Sequence, residues 1–376
     1  MKTALLISGL LGANGRHVAQ ALQMFREAPQ IERYGVSSSG WFDERMLPRA
    51  TDIVLAGWDV RDCSATQLSE SSAARGIMTN VDTQLGDEDG QLHNGTLVGD
   101  LVDEIHHQVA QFMQETRAAR LVLLNCTTPA RRIHPEIARL SLEEILLASA
   151  DEVPSSLVYA LACAKAQGIY VDFTPSQTLE FASIEQSAQL WNSQFAGRDG
   201  STGQTYLKML VAAALELRGL HVRSWYSTNI LGNRDGEALV LPGVGETKMA
   251  DKAWGLDELS GLNPSAHQVD IRYVPQLGDV KEAWDSVTLE GFMGNDAELR
   301  INWRASDSPV AAQSILDLTR IASASHGLHP SGLRRDLAFF FKRPQGMQAM
   351  SPIGYFHQMT ASNQQLLVDG RSGTFV

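Results

Sequence analysis

The stretch Thr3–Gly15, which reads TALLISGLLGANG, decides the fold of this 376-residue chain. Residues 3–8 form an apolar run too continuous for a half-exposed strand, so we expect a strand that is buried on both faces, as in a parallel sheet. A glycine-rich turn and a helical pattern to about residue 26 follow. Strand, glycine turn and helix in this order are typical of dinucleotide binding, although the strict motif has glycine at position 11, where this chain has Leu11. A plain strand-to-helix turn is the alternative.

A second apolar strand begins at Ile53 and ends in Gly57-Trp58-Asp59. An acidic residue at the end of the second strand commonly binds the ribose of a dinucleotide, and residues 27–50 are expected to be an irregular insertion that separates Asp59 from the glycines. A strand over 121–124 ends in a polar loop, where such folds place ligand groups. The cofactor-binding candidates from this part of the chain are Gly9, Gly12, Asn14, Gly15, Asp59, Thr127 and Thr128.

Strands alternate with helices over the first 200 residues, including one helix expected over about 134–150, which predicts an α/β fold with a Rossmann-like, doubly wound parallel sheet. After residue 205 three runs alternate polar and apolar residues, at 267–275, 286–294 and 298–305. They predict an antiparallel sheet with one open face, suited to subunit contact. A long helix then begins near residue 308. We therefore expect a dinucleotide-binding domain from residues 1–204 and 308–376, and an inserted α+β catalytic and oligomerisation domain over 205–307.

Composition excludes several classes of protein. A net charge of −12 argues against nucleic acid or an anionic membrane as the main partner. Three scattered cysteines (Cys63, Cys126, Cys163) and the lack of a leader or membrane-span pattern indicate a cytoplasmic protein without disulfides. Neighbouring His106 and His107 cannot face the same way on a helix, and no metal-type spacing of histidine and cysteine occurs, so no metal site is expected.

The chemistry is concentrated between Arg198 and Lys252. A small-residue turn, Asp199–Gly203, leads into a helix expected to start near Thr205, and such a helix start is a ready anion site. Lys248 and Lys252 are one helical turn apart and can face one site. The chain has only seven lysines among its 31 basic residues, and a buried lysine can polarise a carbonyl or transfer a proton. A solvated lysine pair is the alternative.

Several motifs occur together in this chain. They are GSTGQT (200–205), LGNRDG (231–236), TK and DK (247–252), YVP and GDVK (273–281), DS (307–308), the glycine turn and GWD (57–59). In this order and spacing they resemble the myo-inositol-1-phosphate synthase family, more the eukaryotic type than the short actinobacterial one. The resemblance covers essentially the whole chain, which is expected to lack the N-terminal extension of the eukaryotic enzymes.

The resemblance implies a tightly held NAD that is regenerated in each cycle and a homotetramer. The family oxidises C5 of glucose 6-phosphate, enolises at C6, closes the ring by an aldol reaction at C1 and re-reduces the ketone. The residues that match its catalytic set are Lys248, Lys252, Lys281 and Asp199. Thr202, Gly203, Gln204 and Asn233 match the phosphate cradle. Asp235, Asp279 and Asp307 match carboxylates that orient lysines and cofactor, with Asp235 and Asp307 expected on the cofactor. Lys342 aligns with a family lysine, and burial against apolar surface is its alternative explanation.

The chain departs from the family in ways that bear on the substrate. The signature NGSPQNT appears as Asp172–Thr178, the WTANT loop is replaced by residues 125–129, and His357 stands where a catalytic lysine is expected. The wall that handles the electrophilic carbonyl is therefore changed, with His357 as a candidate acid or base. Joining C6 to C2 of fructose 6-phosphate would give a five-membered ring, as in carbocyclic nucleosides of secondary metabolism. The alternatives are ordinary inositol phosphate formation from glucose 6-phosphate, a net sugar-phosphate dehydrogenase, or an inactive NAD-binding regulator.

Overall fold

The computed structural model of the chain describes residues 1–59, 96–128, 135–232, 256 and 264–369, together with the backbone of residues 74–77. In these residues the strands form two sheets, of seven and of four strands. The strands are β1 (Thr3–Ser8), β2 (Ile53–Trp58), β3 (Ala74–Ile77), β4 (Arg120–Asn125), β5 (Ile169–Asp172), β6 (Gln194–Gly197), β7 (His221–Leu231), β8 (His267–Tyr273), β9 (Val280–Glu290), β10 (Asp296–Ser306) and β11 (Gly332–Leu333).

The seven-stranded sheet is parallel throughout, in the order β11-β6-β5-β4-β1-β2-β3. From β3 to β6 this is the Rossmann order, in which the strand order reverses between β1 and β4. At that reversal Ser8, the last residue of β1, pairs in register with Asn125, the last residue of β4. Because dinucleotides bind beyond the carboxyl ends of the strands at such a point, these two residues mark the expected cofactor edge.

Helices cover both faces of this sheet. They are α1 (Ala13–Glu27), α2 (Val98–Thr116), α3 (Pro135–Ala138), α4 (Leu142–Leu147), α5 (Ser155–Lys165), α6 (Ala182–Trp191), α7 (Gln204–Leu217), α8 (Asp307–Ser325) and α9 (Pro352–Ser362). Successive side chains of β1 alternate between two cores: Ala4 and Leu6 lie in the core with α2 and α5, whereas Leu5 and Ile7 lie in the core with α1 and α8. Burial on both faces explains the continuous apolar run of β1 and confirms the prediction of an α/β, doubly wound, Rossmann-like sheet.

The four-stranded sheet has the order β10-β9-β7-β8. One face packs against α7 through a small core that includes Trp225 and Val287, and the opposite face exposes Tyr226 and Trp284. The prediction of an antiparallel sheet is confirmed for β10, β9 and β7 and is wrong for one pair, because β7 and β8 pair in parallel. The long segment between these two strands, residues 232–266, allows the crossover that a parallel pair requires.

The middle run of that sheet was also misplaced. β9 covers Val280–Glu290 rather than 286–294, because residues 291–295 form the turn between β9 and β10. The single helix expected over 134–150 is interrupted: Ser141 starts the separate helix α4 through reciprocal hydrogen bonds with Glu144. Residues 27–50 contain three short 3-10 turns, as expected for an irregular insertion. Among the helices described, none combines the length and apolar character needed to cross a bilayer.

Candidate functional site

The turn after β1 brings the ends of three strands into close contact. Gly9 has a φ of +84°, and its N–H donates to the carbonyl oxygen of Trp58 at 2.8 Å. A Cβ on Gly9 would lie 2.8 Å from the carbonyl oxygen of Cys126, which follows β4. A Cβ on Gly15 would lie 2.1 Å from the carbonyl oxygen of Leu10. Glycine at both positions therefore permits the close approach of backbone that this edge of the sheet requires.

Helix α1 begins directly after this turn with no side-chain cap. Gly12 is its N-cap residue, and Asn14 lies half-buried in the first turn. The first N–H groups of such a helix carry partial positive charge and suit a phosphate group. Asp59, buried just beyond β2, accepts the N–H of Leu11 at 2.8 Å. Its carboxylate thus holds the glycine turn through this hydrogen bond. Asp59 also lies at the position where an acidic residue binds ribose in this fold.

A chain of hydrogen bonds crosses the carboxyl ends of β1, β4 and β5. Ser8 Oγ donates to Asn125 Oδ1 at 3.0 Å, and Asn125 Nδ2 donates to Asp172 Oδ1 at 3.1 Å. Thr127 donates its N–H (3.2 Å) and its hydroxyl (2.8 Å) to Asn125 Oδ1, whereas Thr128 beside it is exposed. The orientation of the Asn125 amide therefore sets the conformation of the loop that carries both threonines.

Asp172 is a titrating group that the sequence did not reveal as one. It is fully buried, and burial raises the pKa of its carboxyl from the usual 3.8 to about 6. Its Oδ1 accepts the N–H and the hydroxyl of Thr174, at 3.1 and 2.8 Å, but its Oδ2 has no hydrogen-bond partner among the described residues. The cost of burying the charge is only partly offset by these hydrogen bonds.

The candidate phosphate turn leads into α7. Gly203, with a φ of +150°, is the N-cap residue of α7 and leaves the first N–H groups without a side-chain cap. Thr202 Oγ1 donates to Asp307 Oδ1 at 3.0 Å. The buried amide of Gln204 donates to both carboxylate oxygens of Asp285, at 3.0 and 3.3 Å. Three predicted phosphate ligands thus lie together at one helix start.

Asp307 links the phosphate turn to a lysine. Lys281 Nζ, at the start of β9, lies 3.7 Å from the Asp307 carboxylate that also accepts the hydroxyl of Thr202. Asp307 is itself the first residue of α8. Asp279 accepts the hydroxyl of Ser308 at 2.6 Å and its N–H at 3.3 Å, and so holds the first turn of the same helix.

Lys342 joins the site from the far end of the chain. Its Nζ donates to Asp199 Oδ1 at 2.7 Å, and its N–H donates to the carbonyl oxygen of Asp199, also at 2.7 Å. Lys342 is 9% and Asp199 3% exposed, and Asp199 Oδ2 has no partner among the described residues. The two residues are 143 positions apart, so no local sequence pattern could reveal the pair. Burial of Lys342 is therefore accompanied by an ion pair, beyond simple contact with apolar surface.

Backbone hydrogen bonds connect the glycine-turn region with the turn that carries Asp199. Asp199 N donates to the carbonyl oxygen of Thr174, and Gly200 N donates to that of Phe173, whose own N–H donates to the carbonyl oxygen of Asn125. These bonds connect the loop after β4, which carries Thr127 and Thr128, with the turn that carries Asp199. The glycine turn and the lysine–aspartate pairs therefore lie at the same edge of the parallel sheet.

Of the remaining candidate site residues, one lies in α9 and the others lie outside the described residues. His357 lies half-buried in α9, which packs against α7. Lys248, Lys252, Asn233 and Asp235 lie outside the described residues. β7 ends at Leu231, which pairs in register with Lys281. The described residues contain no cluster of three or more histidine, cysteine, aspartate or glutamate side chains placed to hold a metal.

Comparison with known proteins gives a consistent result. A family model described as myo-inositol-1-phosphate synthase matches residues 203–308. An inositol-3-phosphate synthase of Bacteroides thetaiotaomicron is 30% identical over 260 residues, covering 65% of this chain and 60% of its own length. The corresponding protein of Sesamum indicum is 26% identical over 310 residues, covering 73% of this chain and 60% of its own length. The chain thus spans about 60% of the length of these curated relatives.

Solved structures agree on the fold. Inositol-3-phosphate synthase of Caenorhabditis elegans superposes with a TM-score of 0.77 at 20% identity, covering 96% of this chain and 84% of its own. A myo-inositol-1-phosphate synthase-related protein of Thermotoga maritima gives a TM-score of 0.73 at 22% identity, covering 96% and 98%. The protein Ari2 gives 0.62 at 18% identity, covering 96% and 99%. Residues 203–308 thus match the myo-inositol-1-phosphate synthase family, and the described fold is that of its solved members.

Proposed function

We propose that the protein is an NAD-dependent sugar-phosphate cyclase that converts fructose 6-phosphate to a five-membered cyclitol phosphate by oxidation, enolisation, aldol cyclisation and re-reduction. One observation carries the proposal. Two lysine–aspartate pairs, Lys281–Asp307 and Lys342–Asp199, flank the turn that starts α7. Such an arrangement offers a phosphate site and fixed ammonium groups within one small region.

The residues at the end of β1 fit a dinucleotide. Gly9 and Gly15 stand where a side chain would collide with backbone, the start of α1 is uncapped, and Asp59 lies at the end of β2. These groups, with Asn14, Thr127 and Thr128, would hold the pyrophosphate and ribose. When bound, NAD would accept the hydride from C5 and return it, so that the reaction has no net redox change.

The lysines would stabilise the charge that develops on substrate oxygens. Enolisation and aldol closure both place negative charge on oxygen, and a fixed ammonium in a water-poor site stabilises such an oxyanion. Asp199 and Asp307 would hold the ammonium groups of Lys342 and Lys281 in position. Lysine also suits proton transfer, because its pKa can fall when it is buried.

The phosphate would bind at the start of α7. The N–H groups of Gly203 and the following residues, together with the Thr202 hydroxyl, form an anion site whose attraction comes from the helix dipole and hydrogen bonding. We further propose that Asn233 completes this site, that Lys248 and Lys252 belong with Lys281 to the catalytic set, and that Asp235 contacts the cofactor, as the family resemblance implies.

The choice of fructose 6-phosphate rests on His357. This residue stands where the family resemblance leads us to expect a lysine, on a helix that packs against α7. An imidazole lacks the compact ammonium that a lysine presents, so the carbonyl that accepts the new bond is expected to differ from the C1 aldehyde of glucose 6-phosphate. A C2 ketone meets this condition, and joining C6 to C2 closes a five-membered ring.

The test uses purified protein with NAD, supplied separately with fructose 6-phosphate and glucose 6-phosphate, and identifies products by NMR and mass spectrometry. We expect a product isomeric with fructose 6-phosphate that contains a five-membered carbocycle with a hydroxymethyl branch. Lys281→Met should abolish it, whereas Lys165→Met, which removes a lysine paired with Asp103 on the outer helices, should leave turnover unchanged.

Two results would contradict the proposal. Inositol phosphate formed from glucose 6-phosphate alone would overturn the ring size and make His357 a tolerated substitution. Accumulation of NADH without an isomeric product would overturn the cyclase assignment in favour of a net dehydrogenase.

The arrangement of the chain leads to two related proposals. We propose that residues 1–204 and 308–376 form the cofactor-binding domain and that 205–307 form the catalytic and oligomerisation domain. The face of the second sheet that exposes Tyr226 and Trp284 would then contact another copy of the chain in a homotetramer.

A further inference from the structure

A third lysine–aspartate pair lies behind the phosphate turn. Lys208 Nζ, on α7, is 3.4 Å from Asp285 Oδ1, on β9. The two residues are 3% and 4% exposed. The pair therefore joins the helix that starts at the phosphate turn to the second sheet through the interior of the protein.

Asp285 receives an unusually complete set of donors for a buried carboxylate. Trp225 Nε1 donates to its Oδ1 at 2.9 Å, and the hydroxyl of Ser227 donates to the same oxygen. Ser227 is also the cross-strand partner of Asp285 on β7. The amide of Gln204 bonds both oxygens. A buried charge with this number of partners is held in one position, and its neighbours are held with it.

Two of these partners belong to α7 itself. Gln204 is the first residue of α7, directly after Gly203, and Lys208 follows one helical turn later. Residues at this spacing lie on the same side of a helix, and both reach the single carboxylate of Asp285. Two attachments one turn apart fix the rotation of the helix about its axis, and hence the direction in which its first N–H groups point.

We propose that the Lys208–Asp285 pair is a positioning device that orients the start of α7 for substrate phosphate. The inference rests on the proposed function, in which this turn binds the phosphate of a hexose phosphate. Neither Lys208 nor Asp285 touches the substrate; both act through Gln204 and the helix backbone. NAD binds at the other helix start, that of α1, so loss of the pair weakens phosphate recognition and leaves cofactor binding nearly unchanged.

The test compares Asp285→Asn, Lys208→Met and the double variant with the wild type. Calorimetric titration measures the binding of fructose 6-phosphate, inorganic phosphate and NAD, and kinetics measure KM and kcat. We expect each single variant to weaken binding of both phosphate compounds at least about tenfold, to raise KM more than it lowers kcat, and to change NAD affinity less than about twofold. Lys165→Met is the matched control, because it breaks the exposed pair with Asp103.

The double variant keeps the test informative if a single variant fails to fold. It leaves no unpaired buried charge, so it should fold better than Asp285→Asn and still bind phosphate weakly. Unchanged phosphate affinity in the folded variants would overturn the inference, as would equal losses for phosphate and NAD, which indicate a purely structural role. A wild type that binds inorganic phosphate but no hexose phosphate would instead overturn the proposed function. The positioning role would then stand on the phosphate titrations alone.

Discussion

Replacing Asp172 by asparagine should make the protein more stable at neutral pH and remove part of the pH dependence of its stability. The carboxyl is fully buried at the end of β5, and its pKa is raised to about 6 because burial disfavours the charged form. An amide of the same shape can still accept at Oδ1 from Thr174 and Asn125. Asparagine is also the residue that the family signature has at this position.

The size of the stability change follows from the raised pKa of Asp172. A rise from 3.8 to about 6 corresponds to about 3 kcal/mol between the two protonation states. Because the folded pKa is raised, the folded state binds the proton more tightly, so stability is greatest below the unfolded pKa and falls as pH rises through the folded pKa. Removing the buried charge is therefore a gain of about 3 kcal/mol at neutral pH. The amide NH2 of asparagine, however, replaces Oδ2, which has no partner among the described residues, and burying this donor without a partner costs about 1–2 kcal/mol. The net gain at pH 7.5 should be about 1–2 kcal/mol.

Urea unfolding at about pH 7.5 and about pH 4.5, for both proteins, measures the effect. The stability of Asp172→Asn relative to the wild type should fall by about 2 kcal/mol on going to the lower pH, which removes or reverses the advantage of the variant. Asp43→Asn is the control with the opposite sign, because a hydrogen bond from Arg45 lowers the pKa of that half-buried carboxyl. A difference that does not change with pH, or one that grows as pH falls, would refute the account of Asp172.

Three further experiments probe the site. Gly9→Ala should weaken NAD binding at least about tenfold in a titration, whereas Gly40→Ala should not. Both glycines have φ near +84°, but only at Gly9 would a Cβ meet backbone, at 2.8 Å. Equal affinity in the two variants would argue against a cofactor turn at Gly9. Lys342→Met should lower kcat at least about 100-fold and also lower the melting temperature, because it leaves Asp199 buried without its counterion. Adding Asp199→Asn should restore the melting temperature but not turnover, and restored turnover would rule out a catalytic role for the pair. Cys126, half-buried beside the glycine turn, should be alkylated more slowly with NAD present, as read by peptide mass spectrometry, and an unchanged rate would place the cofactor elsewhere.

The sequence predicted the parallel sheet well because its first strand has a clear local pattern. β1 is apolar at its four central positions, which only burial on both faces explains, and glycines at fixed positions follow it. The second sheet was predicted less well. Alternation of polar and apolar residues identifies a half-buried strand but not its direction or its partner. The parallel pairing of β7 with β8 joins two strands that are far apart in the sequence, and no local pattern records it.

In the candidate site, too, local features could be predicted from the sequence and long-range contacts could not. The turn from Asp199 to Gly203 could be identified because small residues before a helix have a local meaning. The partners of its charged groups could not, because Lys342 meets Asp199, and Lys208 meets Asp285, across long stretches of chain. The scarcity of lysine was the available signal. It drew attention to Lys248 and Lys252 and not to Lys208, although Lys208 is one of the seven and a buried lysine needs a counterion somewhere.

The lysine–aspartate pairs also bear on how an acidic protein could hold an anionic substrate. Each of the two described site lysines, Lys281 and Lys342, is beside a carboxylate, so the pairs add little net positive charge to the phosphate turn. In the proposed function an anion would be attracted there by the start of α7, which has no side-chain cap among the described residues and whose first N–H groups carry partial positive charge. Paired ammonium groups instead suit charge that appears only during the reaction, because they are already fixed in place when an enolate or alkoxide forms. Recognition of the phosphate and stabilisation of the reacting oxygens are therefore assigned to different groups, which is why the KM and kcat effects of the Lys208 and Lys342 variants should separate.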